Sequence, residues 1–534
     1  MTTTRESQSA DSFLLPLQVD TSKIRSLARS LHSTFTSLAA ESQEQFLPTP
    51  ISDSILRPEG DENGSGGTNL RVGFIELLGS GDFLHGDQDG EKGEDKQYKI
   101  SRVKRHLEKS WPIGEQLKND RAEELFAWIG ERIAEVIHDG CLAWPGELPD
   151  QLPLGVTFSF PMIQHTLSEA TLMPMGKGFK ITSNLDLAKL LRDGYEVSRS
   201  ASLPRIKIAA IVNDAVATLV AFAYMFRKNA RHKAVMGLIV GTGCNATIPL
   251  PLSKLHPSKR PTKVEIQGEK TKEADLDLKI TVNTEWTIKG AAGPLHEHGF
   301  ITPWDRKLDA EGEMPGFQPF QYMTSGRYLG ELGRIIILEF LTDHLSIPES
   351  TLPPRLRQRN GLTTSFLGSI GPHLAATEPS MLKQVERELP SSDAPHSWQW
   401  TDEGASIVYA VAKAIQIRAA GMIAAAVVAL LACAGEIELS TISSSPSNGN
   451  EPALPMDGGE SELEEMMVGY TGSCIVHFQD YLEDSQWFLD EIMEAEFGNG
   501  ERVPRVSLRP CHDGGIIGAG ILAGTVQSVM AQDA

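Results

Sequence analysis

Short apolar runs alternate with amphipathic stretches along most of this chain. The helical spacing of Ile24, Leu27, Leu31, Phe35 and Leu38 predicts an amphipathic helix over residues 24–46. Further along, β-rich runs at 70–78, 154–160, 206–212, 235–241 and 466–476 predict strands, and stretches at 121–137, 215–226, 327–344, 404–434 and 515–530 predict helices. This alternation predicts an α/β fold in which helices cover the sheets.

The longest apolar run, residues 419–434, reads AAGMIAAAVVALLACA. It is shorter than the roughly 20 residues that a membrane-spanning helix needs. We therefore expect a buried core helix in a soluble protein. The N-terminal residues show no basic region followed by a long apolar stretch, so no signal peptide is expected.

Size and charge narrow the classes of protein further. A chain of 534 residues exceeds what one hydrophobic core usually serves, which predicts at least two domains. Its 49 basic and 70 acidic residues give a net charge of −21, which disfavours binding to nucleic acids and anionic membranes. Five scattered cysteines without a CxxC pair indicate reduced thiols, and hence the cytoplasm, nucleus or mitochondrial matrix.

Several segments have the composition of tails or surface inserts. Residues 1–20 are polar and are expected to be disordered, and flexible inserts are expected at 79–98, 253–274 and 443–464. The cluster SKRPTK at 258–263 fits either a basic address signal or a solvated loop. No tandem repeat of 20–50 residues is present in the sequence.

Several polar, glycine-containing stretches lie next to predicted strands, and two of them come early in the chain. In residues 64–72, Gly66 and Gly67 would let the backbone approach a phosphate, and Thr68 could donate its hydroxyl. Ser159 ends an apolar strand, and Lys177 lies between two glycines. The alternative for these two side chains is a strand-end hydroxyl and a solvated lysine. The ends of strands are nevertheless where open α/β sheets bind ligands.

Asp214 closes a strongly apolar strand and opens the next predicted helix. It fits an N-cap, a position that aspartate often fills, and it also fits a general base that accepts a proton from a hydroxyl. Further polar stretches follow at 240–246 (VGTGCNA), 283–286 (NTEW), 315–318 (PGFQ), 325–331 (SGRYLGE) and 513–518 (DGGIIG).

In order and spacing these motifs resemble the hexokinase family. GGTNLRV and GTGCNA are similar to its two phosphate loops, TFSFP and GKGF to its sugar signature, IVND to its catalytic strand, and DGGIIGAG to its adenosine motif. The resemblance covers about residues 20–530. It implies a two-lobed actin-like ATPase fold with a deep cleft, an N-terminal region at 21–228 and a C-terminal region at 233–530.

The resemblance also implies roles for individual residues. Asp214 would be the base for the 6-hydroxyl of the sugar. The sugar contacts would be Ser159, Lys177, Asn213, Asn245, Glu285 and Gln321. The ATP contacts would be Gly66, Gly67, Thr68, Asn69, Arg71, Gly241, Thr242, Gly243, Asp513, Gly514 and Gly518. The partners implied are glucose or a related hexose, ATP carrying Mg²⁺, and a regulatory protein, without a dedicated metal site, a nucleic acid or a membrane span.

Four departures from the family pattern fall on ligand contacts. Gly64 stands where the family has an aspartate that helps to hold the Mg²⁺–phosphate end of ATP, and the preceding residues 57–65 contain no Val, Ile, Leu or Phe. Gly176 replaces a threonine, Gln321 a glutamate and Thr471 an aspartate. The missing apolar strand before residue 65 fits either a diverged protein or a sequence that lacks a short coding piece.

Two functions follow from the resemblance. The departures favour a hexose-binding protein with weak or lost kinase activity, similar to the regulatory hexokinase-like proteins of filamentous fungi that respond to carbon source. The alternative is an active ATP:hexose 6-phosphotransferase feeding glycolysis, which is favoured by the retained Asp214, Lys177, Asn213 and Glu285. We expect the protein in the cytoplasm, with nuclear or mitochondrial association as alternatives.

Overall fold

The computed structural model describes residues 10–56, 70–78, 103–114, 117, 122–173, 185–225, 231–266, 269–273, 275–372, 380–439, 463–498 and 504–531. Its strands are β1 (Leu47–Ser52), β2 (Leu70–Leu77), β3 (Val103–Trp111), β4 (Gln151–Thr157), β5 (Met162–Ile163), β6 (Thr171–Leu172), β7 (Arg205–Val212), β8 (His232–Val240), β9 (Cys244–Pro251), β10 (Lys263–Ile266), β11 (Glu269–Glu273), β12 (Lys279–Asn283), β13 (Glu465–Thr471) and β14 (Arg505–Pro510).

The α-helices are α1 (Thr21–Glu41), α2 (Ala122–Ala143), α3 (Leu187–Ser198), α4 (Asp214–Met225), α5 (Ala292–Glu297), α6 (Pro303–Ala310), α7 (Pro319–Tyr322), α8 (Gly326–Glu339), α9 (Pro354–Arg357), α10 (Thr364–Ser369), α11 (Met381–Glu388), α12 (Asp402–Ala434), α13 (Ser473–His477), α14 (Tyr481–Phe497) and α15 (Gly514–Ala531). A π-helical segment, Phe340–His344, continues α8. Short 3-10 turns lie at Leu15–Leu17, Asp53–Leu56, Leu252–Lys254, Pro257–Lys259, Lys289–Ala291 and Glu349–Thr351.

The larger lobe is built on one mixed sheet with the strand order β11-β10-β1-β12-β9-β8-β13-β14. β13 runs parallel to β8 and β14, whereas β9 runs antiparallel to β8 and β12. The apolar helix α12 crosses the core of this lobe and packs against α1 and α14. Alone among the described helices it is long and apolar enough to span a membrane, but 94% of its most apolar window is buried inside the protein.

A buried ion pair crosses this apolar core. Arg418 of α12 is fully buried and donates two hydrogen bonds to the carboxylate of Asp305, at 2.7 and 2.9 Å. Asp305 also accepts from the backbone and hydroxyl of Thr302, whose side chain caps α6. The charge in the middle of α12 is therefore paired and hydrogen-bonded, as a buried charge must be.

The described part of the smaller lobe contains three separate two-stranded sheets, of which the smallest is the antiparallel pair β5 and β6. β2 and β3 form an antiparallel hairpin, and β4 runs parallel to β7. Helices α2 and α3 pack against each other on this lobe. Within the described residues, no strand pairs with the second edge of β2 or of β4.

Helices α4 and α15 join the lobes. α4 packs on β8, β9, β12 and β13 of the large sheet, α15 packs on β2, β4 and β7 of the smaller lobe, and the two helices pack on each other. They approach closely at Gly518, where an added Cβ would lie 2.0 Å from the carbonyl oxygen of Ala217. Asp214 begins α4, and Asp513 precedes α15, so these two of the predicted site carboxylates lie where the chain passes between the lobes.

The structure corrects several expectations about local order. Within the segment expected to be disordered, residues 10–17 are docked: Leu14 and Leu17 are buried, and the ring of Phe13 lies 5.1 Å from that of Trp304. Burial of apolar side chains offsets the entropy of ordering this short segment.

The lysine-rich stretch 253–274 was expected to be a flexible insert, but most of it is ordered. It contains β10 and β11 at the edge of the large sheet, and Val264 is fully buried. Lys259 donates to the backbone carbonyls of Ala39 and Gln45, and Arg260 to those of Leu255 and Ser253. Lys259 and Arg260 of the SKRPTK cluster thus stabilise the local backbone through hydrogen bonds.

Two element boundaries also differ from prediction. The strand expected at 466–476 ends at Thr471, because Gly472 takes a φ of +122° and Ser473 then starts α13. The first long helix ends at Glu41, before the predicted limit of 46. The expected inserts at 79–98 and, apart from its last two residues, 443–464 lie outside the described residues.

Candidate functional site

A cavity of about 560 Å³ opens between the lobes. The segments that follow β4, β7, β8, β12 and β13 line it, together with residues 512–515 before α15. These are the positions at which an α/β sheet presents polar groups to a ligand.

Asp214 lies in this cavity as the first residue of α4. One carboxylate oxygen, Oδ1, accepts the N–H of Ala215 at 3.0 Å, a bond that the side chain of Asn213 shares at 2.9 Å. The other oxygen, Oδ2, accepts the hydroxyl of Ser159 at 2.7 Å. Capping therefore occupies one oxygen only, and the second is directed towards a hydroxyl donor, as proton acceptance requires.

Glu285 is held by two asparagines. Its Oε1 accepts from Nδ2 of Asn245 at 3.1 Å and from Nδ2 of Asn283 at 3.0 Å, while its backbone N–H donates to Oδ1 of Asn245 at 3.1 Å. Asn245 also donates to Oδ1 of Asn283 at 2.8 Å. The backbone of Glu285 has a φ of +45°, which is uncommon for a residue with a side chain. Such strain is typical of functional positions that the surrounding structure fixes.

Gln321 lies deeper, at 4% exposure, and its two amide atoms have different partners. Oε1 accepts the backbone N–H of Cys244 at 3.2 Å, and Nε2 donates to Oε1 of Gln318 at 2.8 Å. The same oxygen of Gln318 accepts the hydroxyl of Tyr328 at 3.1 Å. A neutral amide is thus accommodated where the resemblance implies a carboxylate.

The turn at 241–243 is fixed from behind. The carbonyl oxygens of Gly241 and Thr242 accept the first N–H groups of α8, from Gly326 at 2.7 Å and Arg327 at 3.2 Å. Gly241 also lies close to a second turn, at residues 471–473, because a Cβ added to Gly241 would lie 3.3 Å from Cα of Gly472. Two turns with little side-chain bulk therefore meet in the cavity, a form suited to the close approach of phosphate oxygens.

Asp513 is clamped by arginines of the β2–β3 hairpin. Arg71 donates to one oxygen at 2.5 Å and Arg105 to the other at 2.8 Å. Burial alone would raise the pKa of Asp513, but the hydrogen bonds and charges of these arginines outweigh it and hold the pKa below its ordinary value. Asp513 has a φ of +58°, a second strained position in the site.

The structure brings together most of the predicted residues that it describes. Those lining the cavity are Arg71, Ser159, Asn213, Asp214, Gly241, Thr242, Gly243, Asn245, Glu285, Gln321, Asp513 and Gly514. Gly518 does not line it and instead permits the contact between α15 and α4. Gly64, Gly66, Gly67, Thr68, Asn69, Gly176 and Lys177 lie outside the described residues.

Sequence reasoning missed four contributors. Asn283 and Gln318 orient predicted site residues, and His477 and His512 line the cavity beside the second turn and Asp513. Asn283 and Gln318 belong to the NTEW and PGFQ motifs, so their place in these motifs could have identified them as site residues. The two histidines lie in no such motif.

The residues that could hold ATP and Mg²⁺ differ in fit. The turns at 241–243 and 471–473 could hold phosphates, because their glycines leave room for phosphate oxygens to approach the backbone. Among the described cavity-lining carboxylates, however, Asp513 is paired with two arginines and Glu285 with two asparagines, which leaves Asp214. No group of three or more His, Cys, Asp or Glu in the described part of the chain could hold a metal ion. Mg²⁺ usually binds through carboxylates and substrate phosphates, so it would have to be carried by the nucleotide.

Comparison with known proteins adds the family context. Two family models described as hexokinase match residues 9–224 and 235–525. The hexokinase of Schistosoma mansoni is 31% identical over 321 residues, which cover 59% of this chain and 60% of that protein. Hexokinase-2 of Schizosaccharomyces pombe is 26% identical over 481 residues, 87% of this chain and 86% of that protein. The match to the Schistosoma protein thus spans less than two thirds of that relative's length.

The fold comparison agrees. A solved hexokinase from Schistosoma mansoni complexed with glucose superposes with a TM-score of 0.69 at 22% identity, over 97% of this chain and 98% of that one. A second hexokinase structure gives a TM-score of 0.65 at 21% identity, over 98% and 99%. The predicted two-lobed actin-like ATPase fold is thereby confirmed.

Proposed function

Because this chain belongs to the hexokinase family, we propose that it binds glucose or a related hexose together with ATP, has weak or lost phosphotransferase activity, and acts in carbon-source sensing through a regulatory partner. One observation supports this most: the Asn245–Asn283–Glu285 cluster and Asp214 line or support one cavity.

The cluster has the chemistry that a sugar needs. Each sugar hydroxyl donates one hydrogen bond and accepts others, and the cluster offers a carboxylate beside two amides within a half-enclosed cavity. Hydrogen bonds to a charged acceptor are the stronger kind, so Glu285 would contribute most of the specificity. Gln321 offers a neutral acceptor instead of a charged one, which costs about 1–2 kcal/mol of binding.

Asp214 would accept the proton of the primary hydroxyl of the sugar. Its Oδ2 is already matched to one hydroxyl, that of Ser159, and a bound sugar would share or replace this donor. ATP would supply the phosphoryl group, and catalysis would then rest on positioning and charge stabilisation. The turns at 241–243 and 471–473 would position the phosphates.

Three features support weak turnover. Among the described cavity-lining carboxylates only Asp214 is left for Mg²⁺. In addition, Thr471 lacks the carboxylate of the family pattern, and Gln321 lacks the negative charge of the family's glutamate. Loss of electrostatic positioning lowers phosphoryl-transfer rates by orders of magnitude. The proposed regulatory role follows from this expected loss of activity. The similarity to regulatory proteins of filamentous fungi rests on the four departures from the family pattern.

The alternative is an active ATP:hexose 6-phosphotransferase. It is favoured by the geometry of Asp214, because capping leaves Oδ2 directed at a hydroxyl. We propose the cytoplasm for either function, since none of the five cysteines, all of which lie in the described residues, forms a disulfide.

Two assays on the full chain separate these possibilities. Glucose should raise the thermal midpoint, because a ligand that binds only the native state stabilises it. No shift up to tens of millimolar glucose would refute hexose binding. In a coupled assay with ATP and Mg²⁺ we expect turnover barely above background, unchanged in Asp214→Asn. Turnover that Asp214→Asn lowers by about 10²–10⁴-fold would establish the active enzyme instead.

A further inference from the structure

The cavity has an apolar arm that neither a sugar nor a phosphate would use. Its walls are aliphatic side chains from β2, β4, α2 and α3: Val72, Leu154, Val156, Ile129, Ile133 and Leu191. Polar ligands gain nothing from such walls, because burying a polar group without a hydrogen bond is costly. The arm therefore calls for an occupant of another kind.

Two strands present their edges to this arm. Residues 70–72 of β2 and residues 154–158 in and after β4 line it without interruption. Successive side chains of a strand point to opposite faces, so a face would contribute only alternate residues. An unbroken run of lining residues shows that each strand turns its edge to the arm. Among the described strands, β2 pairs with β3 alone and β4 with β7 alone, always on the other edge.

Helices flank the two strands. α2 contacts β2 and β3 and packs on α3, whereas α15 contacts both β2 and β4. The contact of α15 with β4 is close, since an added Cβ at Gly155 would lie 2.1 Å from the carbonyl oxygen of Ala519. Because α15 contacts both strands, it connects the two edges that line the arm.

The printed sequence offers no apolar strand for this gap at the nearest point of the chain. Residues 57–69, between β1 and β2, read RPEGDENGSGGTN and contain no Val, Ile, Leu or Phe. We propose that the gap between β2 and β4 is a strand-accepting slot, which binds an extended apolar segment of another polypeptide by backbone pairing to both edges. The five residues that line it on β4 set the occupant's length at about five or six residues, at about 3.3 Å per residue.

The chemistry of the slot distinguishes this occupant from an acyl chain. Each open edge directs backbone N–H and C=O groups into the slot, and a hydrocarbon cannot satisfy them. A peptide strand satisfies these groups and places its aliphatic side chains against α2 and α15, which is the physics of strand addition to a sheet edge. This inference does not depend on the proposed hexose binding.

The first test adds the strand as a separate peptide. A fluorescein-labelled peptide Lys-Val-Ile-Val-Leu-Val-Lys is titrated with the full-length protein, and saturable anisotropy is expected. The same peptide with its central Val replaced by Pro should bind at least about tenfold more weakly, because proline removes a backbone donor. Equal binding of both peptides, no saturable binding, or displacement of the peptide by lauric acid would overturn the proposal.

Two protein variants localise the binding. Val156→Arg puts a charge into the slot and should abolish peptide binding, whereas Val197→Arg, at a side chain 79% exposed, should leave it unchanged. Because Val156→Arg could impair folding, a second variant inserts Val-Ile-Val-Leu-Val before Ser65. It should raise the thermal midpoint by several degrees and block the peptide, while a Gly/Ser insert of equal length does neither. An apolar insert that neither stabilises nor blocks would overturn the slot, as would concentration-dependent dimerisation that the peptide does not reverse.

Discussion

The asparagine behind Glu285 provides the sharpest test of the site. Asn283 is 3% exposed and makes two side-chain hydrogen bonds, one donated to Oε1 of Glu285 and one accepted from Asn245. A hydrogen bond to a charged group contributes about 1.5–3 kcal/mol and a neutral one about 0.5–1.5 kcal/mol. We therefore expect Asn283→Ala to lower the free energy of unfolding by about 2–4 kcal/mol.

The same change should weaken glucose binding, because Glu285 loses a fixed orientation. A loss of 1.4 kcal/mol corresponds to tenfold in affinity, so the dissociation constant should rise by about tenfold or more. Urea unfolding measures the first effect and calorimetric titration with glucose the second.

A matched control lies on the same strand. The side-chain oxygen of Thr281 is buried and has no hydrogen-bond partner among the described residues. Thr281→Val removes this unpaired group and should leave stability and glucose affinity unchanged or slightly raised. If Asn283→Ala behaved like Thr281→Val in both assays, the reasoning about the asparagine cluster would be refuted.

Three further predictions concern charged groups outside that cluster. Arg418→Met should lower the free energy of unfolding, measured by urea titration, by about 3–5 kcal/mol, because it leaves the buried charge of Asp305 unpaired. The double variant Arg418→Met with Asp305→Leu should recover most of the lost stability. The pKa of Asp513 is lowered, so the stabilising effect of this carboxylate is present above its ordinary pKa of 3.8 and is lost as the pH falls through the folded value. The difference in unfolding free energy between wild type and Arg105→Gln should therefore vanish in acid. A difference that does not depend on pH would contradict this. Burial lowers the pKa of Lys259 to about 8, so competitive acetylation followed by mass spectrometry should give an apparent pKa near 8 for this amine, and a value near 10.5 would be contrary evidence.

The sequence allowed the ends of the strands to be predicted, and with them most of the described site. Asp214 could be placed because a run of buried apolar residues, IKIAAIV, leads directly to it, and a parallel strand of this kind has few alternatives. The asparagines of the Glu285 cluster come from two strands, β9 and β12, whose pairing places Asn283 opposite Thr247. Periodicity predicts such strands but not their register.

Strand β1 could not be predicted, because it contains Pro48 and Pro50 and proline disfavours an interior strand. The structure shows how the prolines are tolerated. β1 meets β10 at a single pair, Ile51 with Glu265, and its register against β12 shifts between Pro48 and Ser52. The missing proline donors therefore fall where the pairing is already irregular. The strained backbone of Glu285 was equally unpredictable, since it depends on bonds from distant segments.

Strand β2 forms one edge of the slot and also bears on the expected weakness of phosphoryl transfer. β2 carries Arg71, which lines the cavity and pairs with Asp513. Because β2 pairs with β3 alone among the described strands, the position of Arg71 depends on this ion pair as well as on the β2–β3 hairpin. A nucleotide that recruited Arg71 would have to draw it away from Asp513, and the ladder that would hold β2 in place during that exchange is incomplete. A strand in the slot would supply that ladder. The proposed weakness of phosphoryl transfer would then have the same physical origin as the apolar gap.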